Sequence, residues 1–245
     1  MDFLVVLTGL IAFASGVLSG VAGGGGGFIM VPYWLLIGMT PAQAAANGGF
    51  MAIGMGASTL GAFRKTSHFP KDKKLIWVLS IITFVAAVIG AFLLPTIDAE
   101  PFKVVVAVIT LLSLPLLFIN PKRIERRRYK VIGVVLYALI ALIGSIIFSS
   151  TFGILMMINF SLFFGMSVLQ STALRRYTSL IQAIVLFVLL AVQGSFVLGH
   201  AVAGLIGAVA GGYIGTKYII KKGENFAKYA LVVGGVLSAV ALLLI

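Results

Sequence analysis

The sequence contains no cysteine and only six acidic residues. Without cysteine there is no disulfide framework, no thiolate metal site and no cysteine nucleophile. All six acids lie near the chain ends or in polar connections, so no carboxylate is placed inside an apolar segment to relay a proton or bind a cation. They are Asp2, Asp72, Asp98, Glu100, Glu125 and Glu224.

Histidine is also scarce, with His68 in a basic stretch and His200 at the edge of an apolar run. No nucleophile–base pair, metal-binding cluster or phosphate-binding loop can be assembled from these residues. We therefore expect a protein that is not an enzyme and that needs no metal or cofactor.

Charged residues make up only 10% of the chain, whereas about 25% is typical of a soluble domain. Hydrophobic residues make up 61%, and the mean hydropathy is +1.18. The sequence therefore predicts an all-α polytopic membrane protein embedded in the lipid bilayer. The first apolar run has no basic segment before it and no small-residue cleavage site, so we interpret it as a retained span.

The net charge of +12 does not indicate nucleic-acid binding, because the basic residues cluster in short connections between apolar runs. That distribution is the one found in cytoplasmic loops of membrane proteins. We expect three cytoplasmic loops. Their basic residues are Arg64, Lys65, Lys71, Lys73 and Lys74, then Lys122, Arg123, Arg126, Arg127, Arg128 and Lys130, then Lys217, Lys221, Lys222 and Lys228.

Two of the apolar runs, 28–37 and 153–164, are much shorter than the ~20 residues that a membrane span needs. They hold the same place in the two halves of the chain, and short runs of this kind are typical of broken or re-entrant helices. The complete series is 3–22, 28–37, 42–63, 75–95, 103–119, 131–149, 153–164, 168–194, 200–220 and 226–245.

A short pattern recurs just after each short run. The residues from Gly38 to Gln43 have the form Gly-Met-Thr-x-x-Gln, and those from Gly165 to Gln170 have the form Gly-Met-Ser-x-x-Gln. We interpret this as an internal duplication, with repeats at 1–120 and 131–245 joined by a basic linker at 121–130.

The recurring pattern also predicts where two helices begin. Thr40 stands before Pro41, and Ser167 holds the equivalent place, so helices should start at 41 and 168. If each short segment crosses the bilayer, each half has an odd number of crossings. The second half is then inverted, and both termini lie outside. If the short segments re-enter instead, this conclusion weakens. Because the odd count agrees with all three basic loops being cytoplasmic, we predict two inverted-topology repeats, each with a broken or short helix pair at a Gly/Ser-rich interruption.

Five consecutive glycines, Gly23, Gly24, Gly25, Gly26 and Gly27, interrupt the apolar N-terminal region. Glycine is a poor helix former, and irregular backbone at membrane depth is tolerated where it lines a cavity. We predict an unwound segment that faces a substrate and opens a helix at Phe28. The alternative is close helix packing, which suits the isolated glycines Gly16, Gly20, Gly204, Gly207, Gly211 and Gly215 better.

The matching stretch of the second half has hydroxyl groups in place of bare backbone, at Ser149, Ser150 and Thr151 before Gly153. Broken helices expose backbone N–H groups, which attract anions. The sequence therefore predicts a pocket for a small anion, walled by the glycine run and by these hydroxyls. The alternative is that the hydroxyls only bond the carbonyl one turn back.

Further polar side chains lie near the starts of the two helices or, for Asn159, midway along the second short segment. They add candidates for the same pocket, although each amide alone is more typical of contacts between helices. Arg175 shares a helical face with Ser171 and Thr172, so we expect Arg175 to face the anion. Of Arg175 and the adjacent Arg176, we expect one to snorkel to the cytoplasmic interface. The added candidates are Gln43, Asn47, Asn159, Gln170, Ser171, Thr172 and Arg175.

The first 63 residues resemble the TauE/SafE sulfite exporter family of membrane permeases. The similarity lies in the residues from Gly16 to Gly20, the glycine run, Phe28 to Pro32, and Gly38 to Ala46. One departure is the second half, where many members have a glycine-rich turn and this chain has Ser149 to Gly153.

The resemblance implies a two-repeat, multi-pass permease of the bacterial plasma membrane. Its substrates would be sulfur-containing anions such as sulfite, thiosulfate, sulfoacetate and other organosulfonates. We expect a secondary transporter or facilitator that exports such an anion by alternating access. An anion channel and a non-transporting scaffold remain as alternatives. The oligomeric state is open, a homodimer included.

Overall fold

The computed structural model describes residues 3–22, 26–63, 72–98, 101–102, 127–147 and 151–222, with isolated positions between 104 and 112 and between 229 and 240. Within these residues the chain forms helices and no strand, which confirms the all-α prediction. The helices are α1 (Phe3–Ala22), α2 (Gly26–Leu36), α3 (Pro41–Phe63), α4 (Lys73–Leu93), a 3₁₀ turn (Leu94–Thr96), α5 (Arg127–Ile147), α6 (Thr151–Phe164), α7 (Val168–Val192) and α8 (Leu198–Lys222).

Four of the described helices are long and apolar enough to cross a membrane, in the segments Phe3–Gly20, Lys73–Thr96, Leu169–Val192 and Leu198–Tyr218. Their outward faces are apolar. Trp77 on α4 is 70% exposed and Ile206 on α8 is 67% exposed. Long apolar helices with apolar outward faces are typical of a protein that lies in lipid, and the chain is a membrane-embedded protein.

The two short helices α2 and α6 match the short apolar runs, and each is followed by a turn with the same geometry. Gly38 has φ 85° and Gly165 has φ 65°, a left-handed conformation that favours glycine. The next helices, α3 and α7, begin at Pro41 and Val168, as predicted.

Reciprocal side-chain bonds cap the starts of α3 and α7. The Gln43 N–H donates to Thr40 Oγ1 over 3.2 Å, while the Thr40 N–H donates to Gln43 Oε1 over 3.0 Å. Ser167 and Gln170 form the same pair of bonds over 3.3 and 3.1 Å. The recurring sequence pattern is therefore a glycine turn followed by a capping box.

Helix α2 begins at Gly26, so the prediction that Phe28 opens it is wrong. Gly26 and Gly27 are its first two residues, because glycine lowers helix propensity without excluding the helical backbone conformation. Gly23, Gly24, Gly25, Ser149 and Ser150 lie outside the described residues. Helix α5 begins at Arg127, within the stretch taken as the linker.

The helix contacts are preserved when the two halves are exchanged. Helix α1 packs on α8 as α5 packs on α4, and α3 packs on α8 as α7 packs on α4. Exchanging the two halves leaves the contact between α3 and α7 unchanged. An axis that relates the halves would therefore pass through this contact. This pattern favours an internal duplication, while opposite membrane orientation of the halves stays a prediction.

Several glycines bring helix backbones close together, as the packing interpretation predicted. A Cβ built on Gly16 would lie 2.8 Å from the Ala208 carbonyl oxygen, and one on Gly20 would lie 2.6 Å from the Gly212 oxygen. Helices α4 and α5 meet in the same way, because a Cβ on Gly90 would lie 2.6 Å from the Ser145 oxygen. No side chain fits these places unless a helix moves.

Candidate functional site

A cavity of about 110 Å³ lies where the two halves meet. Helices α1 to α3 form one side, and α5 to α7 form the other. The described residues that line it are Ser19, Met30, Val31, Trp34, Gly48, Met51, Ala52, Met55, Gly56, Gly144, Phe152, Gly153, Met156, Arg175, Arg176, Ser179, Leu180, Gln182 and Ala183.

Arg176 crosses from α7 to the first half of the chain. Its Nη2 donates to the main-chain oxygen of Ser19 and, over 2.9 Å, to Ser19 Oγ. Only 4% of Arg176 and 1% of Ser19 are exposed. This side chain therefore ties the end of α1 to α7 beside the cavity.

Arg175 reaches the cavity in a different direction, toward α6. Its guanidinium occupies the space that a side chain at Gly153 would fill. Arg175 is 7% exposed. Both arginines are thus buried, and the expectation that one snorkels to the interface is wrong. Adjacent side chains on a helix diverge by about 100°, and here both directions lead to the cavity because it spans the contact between the halves.

The cavity carries positive charge and no described acidic residue. Asp72 and Asp98, the acids of the described part of the chain, are exposed at helix ends, and Asp72 caps α4 by accepting from the Leu75 N–H over 3.0 Å. Two guanidinium groups in an environment of low dielectric produce a strong local field. The cavity is chemically suited to a small anion.

The remaining lining is mostly apolar and rich in polarizable methionine side chains. Met30, Met51 and Met55 pack with Trp34 in one buried cluster, and Met156 belongs to another. A few polar groups project among these side chains, including Ser179 and Gln182. The Gln182 Nε2 donates to Ser145 Oγ over 2.9 Å. An anion here would meet charge on one side and thioether or aromatic surface on the other.

The other predicted binding residues lie away from this lining. Gln43 and Gln170 form the capping boxes described above. Asn47 Oδ1 accepts from the Val197 N–H over 3.0 Å, and Asn159 Nδ2 donates to the Gly133 oxygen over 3.1 Å. These amides have structural partners, and their role in anion binding stays a prediction.

Two buried hydroxyls of α7 complete the predicted set. Thr172 Oγ1 lies 3.9 Å from Met157 Sδ, a distance typical of a weak contact with sulfur. Ser171 Oγ is buried and has no hydrogen-bond partner among the described residues. Of the predicted residues that the structure describes, Arg175 alone is among those lining the cavity. The side chain of Thr151 lies outside the description.

Sequence reasoning missed several lining residues. Ser179 and Gln182 lie four and seven residues after Arg175, so helical spacing places them on its face and was a usable signal. Ser19 had no such signal, because it lies on another helix of the other half. Its contact with Arg176 requires the tertiary structure.

An α-helical membrane protein with a cavity that buries two arginines between its two halves has the architecture of a transporter. Residues 8–242 match the family described as Sulfite exporter TauE/SafE, and the chain belongs to that family. The protein is a membrane transporter.

Three relatives illustrate the similarity. The chain is 24% identical to the "Probable membrane transporter protein" of Haemophilus influenzae, covering 95% of this chain and 91% of the relative. It is 26% identical to the "Probable membrane transporter protein YfcA" of Escherichia coli, covering 94% and 86%. It is 24% identical to the "Probable membrane transporter protein ORF9" of a Sinorhizobium species, covering 95% and 89%. No solved structure matches the chain.

Proposed function

We propose that the protein is a secondary transporter or facilitator that exports a small sulfur-containing oxyanion across the plasma membrane. Sulfite, thiosulfate and organosulfonates such as sulfoacetate are the candidate substrates. The observation that carries this proposal is the cavity between the halves, which buries Arg175 and Arg176 and has no acidic residue in its described lining.

Burying charge inside a membrane protein is costly, so intramembrane arginines mark functional sites. A guanidinium group also matches the shape of an oxyanion, because its planar fork donates two parallel hydrogen bonds. The family supports the sulfur chemistry through its description as a sulfite exporter. Charge, shape and family together favour sulfite-like anions.

The position of the cavity supports alternating access. Both halves line it, and Arg176 bonds to Ser19 across the contact. Rocking one half against the other would break or remake such contacts and expose the cavity to each side in turn. An inside-negative membrane potential favours anion exit by about 2.3 kcal/mol per charge per 100 mV, which is consistent with export.

Ligand-dependent melting of the purified protein in detergent tests the proposal. Sulfite, thiosulfate, sulfoacetate and taurine are added separately, with chloride at equal ionic strength as the control. A substrate should raise the melting temperature in a saturable manner, because it binds the folded state only. If none of the four does so, the anion-binding proposal fails and the scaffold alternative gains support.

Flux in proteoliposomes separates a carrier from a channel. Initial rates of sulfite movement are measured over increasing concentration in protein-containing and empty vesicles. A carrier should saturate, because each cycle moves a bound anion through a conformational change. Rates that rise linearly without limit would favour the anion channel instead.

A further inference from the structure

Gly153 occupies an unusual position for a glycine, in the first turn of the short helix α6. Glycine weakens a helix relative to alanine, so its presence there calls for a reason in the packing. A Cβ built on Gly153 would overlap Nε, Cζ and Nη2 of Arg175, which are three of the four heavy atoms of the guanidinium group. Both residues line the cavity. The missing side chain is what makes room for the charged group.

Neither helix can easily retreat to admit a side chain at Gly153. On α6, the neighbouring Phe152 packs against α5, where a Cβ on Gly144 would lie 2.8 Å from the Phe152 Cβ. On α7, Arg176 is bonded to Ser19 at the end of α1. With both backbones held, an added methyl group would displace the Arg175 guanidinium itself.

We propose, on the basis of the anion site proposed above, that Gly153 is the positioning residue for Arg175. Its bare backbone directs the guanidinium into the cavity, where the sulfur oxyanion binds. Arg176 donates to Ser19 and so links α7 to α1 beside the cavity. Gly153 therefore acts through Arg175, and Arg175 contacts the anion.

The experiment compares full-length wild type with Gly153→Ala and with Gly204→Ala as the control. Gly204 is also buried in a helix, but a Cβ there would meet Met51 Sδ and Trp34 Cζ2 at an ordinary 3.6 Å. Sulfite and thiosulfate are the probes, and calorimetry in detergent gives their affinities. Gly153→Ala should weaken binding by about tenfold or more, as expected when a charged hydrogen bond is weakened. Gly204→Ala should bind as wild type does.

A second measurement needs no anion. Melting temperatures are compared for Gly153→Ala in the wild-type background and in the Arg175→Ala background. The methyl group should lower the melting temperature only when Arg175 is present, because the overlap is with its guanidinium. A glycine needed solely for helix packing would lower it equally in both backgrounds, which would overturn the assignment.

Wild-type affinity for sulfite after Gly153→Ala would overturn it as well. The two proposals fail separately. If the wild-type protein binds neither probe, the proposed function is lost, while the melting comparison still reports whether Gly153 makes room for Arg175.

Discussion

Arg175 and Arg176 follow each other in α7, yet their guanidinium groups meet different helices. Arg176 bonds to Ser19 on α1, whereas Arg175 lies against Gly153 on α6. The sequence predicted Arg175 as the anion-facing residue from its helical face. It could not predict that Arg176 is buried too, because the acceptor that stabilises it comes from the other half of the chain.

The bonds between Arg176 and Ser19 predict a graded effect on stability without anion. Arg176→Ala should lower the free energy of unfolding by about 1.5–3 kcal/mol, since charged hydrogen bonds to Ser19 are lost. Ser19→Ala removes the hydroxyl acceptor and leaves the main-chain oxygen in place, so it should lower the free energy of unfolding by less. Melting in detergent without added anion measures both. Equal destabilisation by the two changes would contradict a contribution from the main-chain bond.

At the scale of helices, the sequence was most informative at the helix starts. Ser167 and Thr40 cap α7 and α3 where expected, because capping is a local interaction between residues three apart. The start of α2 was missed, since five glycines give no local signal for the position where a helix begins. Local chemistry sets some boundaries, and tertiary packing sets the others.

Removing a cap should affect stability and leave the anion site intact. Ser167→Ala should cost about 1 kcal/mol, the usual value for a lost N-cap. Its hydroxyl bonds to the Gln170 N–H and lies outside the cavity lining, so sulfite affinity should not change. Melting and calorimetry on one preparation measure both quantities. A large loss of sulfite affinity would instead indicate that the capping residues take part in anion binding.

The contact between α1 and α8 predicts a graded response to alanine. In Gly20→Ala the new methyl group would meet backbone atoms of Gly212 and Thr216 at 2.6 Å, so the helices must separate and the melting temperature should fall. In Gly9→Ala, the matched control on the same helix, the nearest atom is the Ala203 oxygen at 3.6 Å. That variant should melt as wild type does, and a similar fall in both would argue against close packing as the cause.

At the scale of the whole molecule, two halves with equivalent contacts enclose the cavity. The Gly-Met-Thr/Ser-x-x-Gln pattern predicted an internal duplication, and the exchange of contacts between halves favours it. The cavity was not visible in sequence, because its walls come from six helices that lie far apart in the chain. The basic loops at 64–74 and 217–228 predict the orientation in the membrane.

Because the chain has no cysteine, single cysteine substitutions test that orientation without a background signal. Ser67→Cys, in the first basic loop, should react with a membrane-impermeant maleimide only from the cytoplasmic side. Thr96→Cys, after α4, should react only from the opposite side. The unsubstituted protein is the control. Labelling of both positions from one side would refute the predicted topology.

Calorimetric binding of sulfite to purified wild type, Arg175→Ala and Arg176→Ala tests most directly whether Arg175 holds an anion in this cavity. We expect saturable binding to wild type, no binding to Arg175→Ala, and binding largely retained in Arg176→Ala at a temperature where that variant stays folded. Equal losses in the two variants, or undiminished binding by Arg175→Ala, would contradict the assignment of the site.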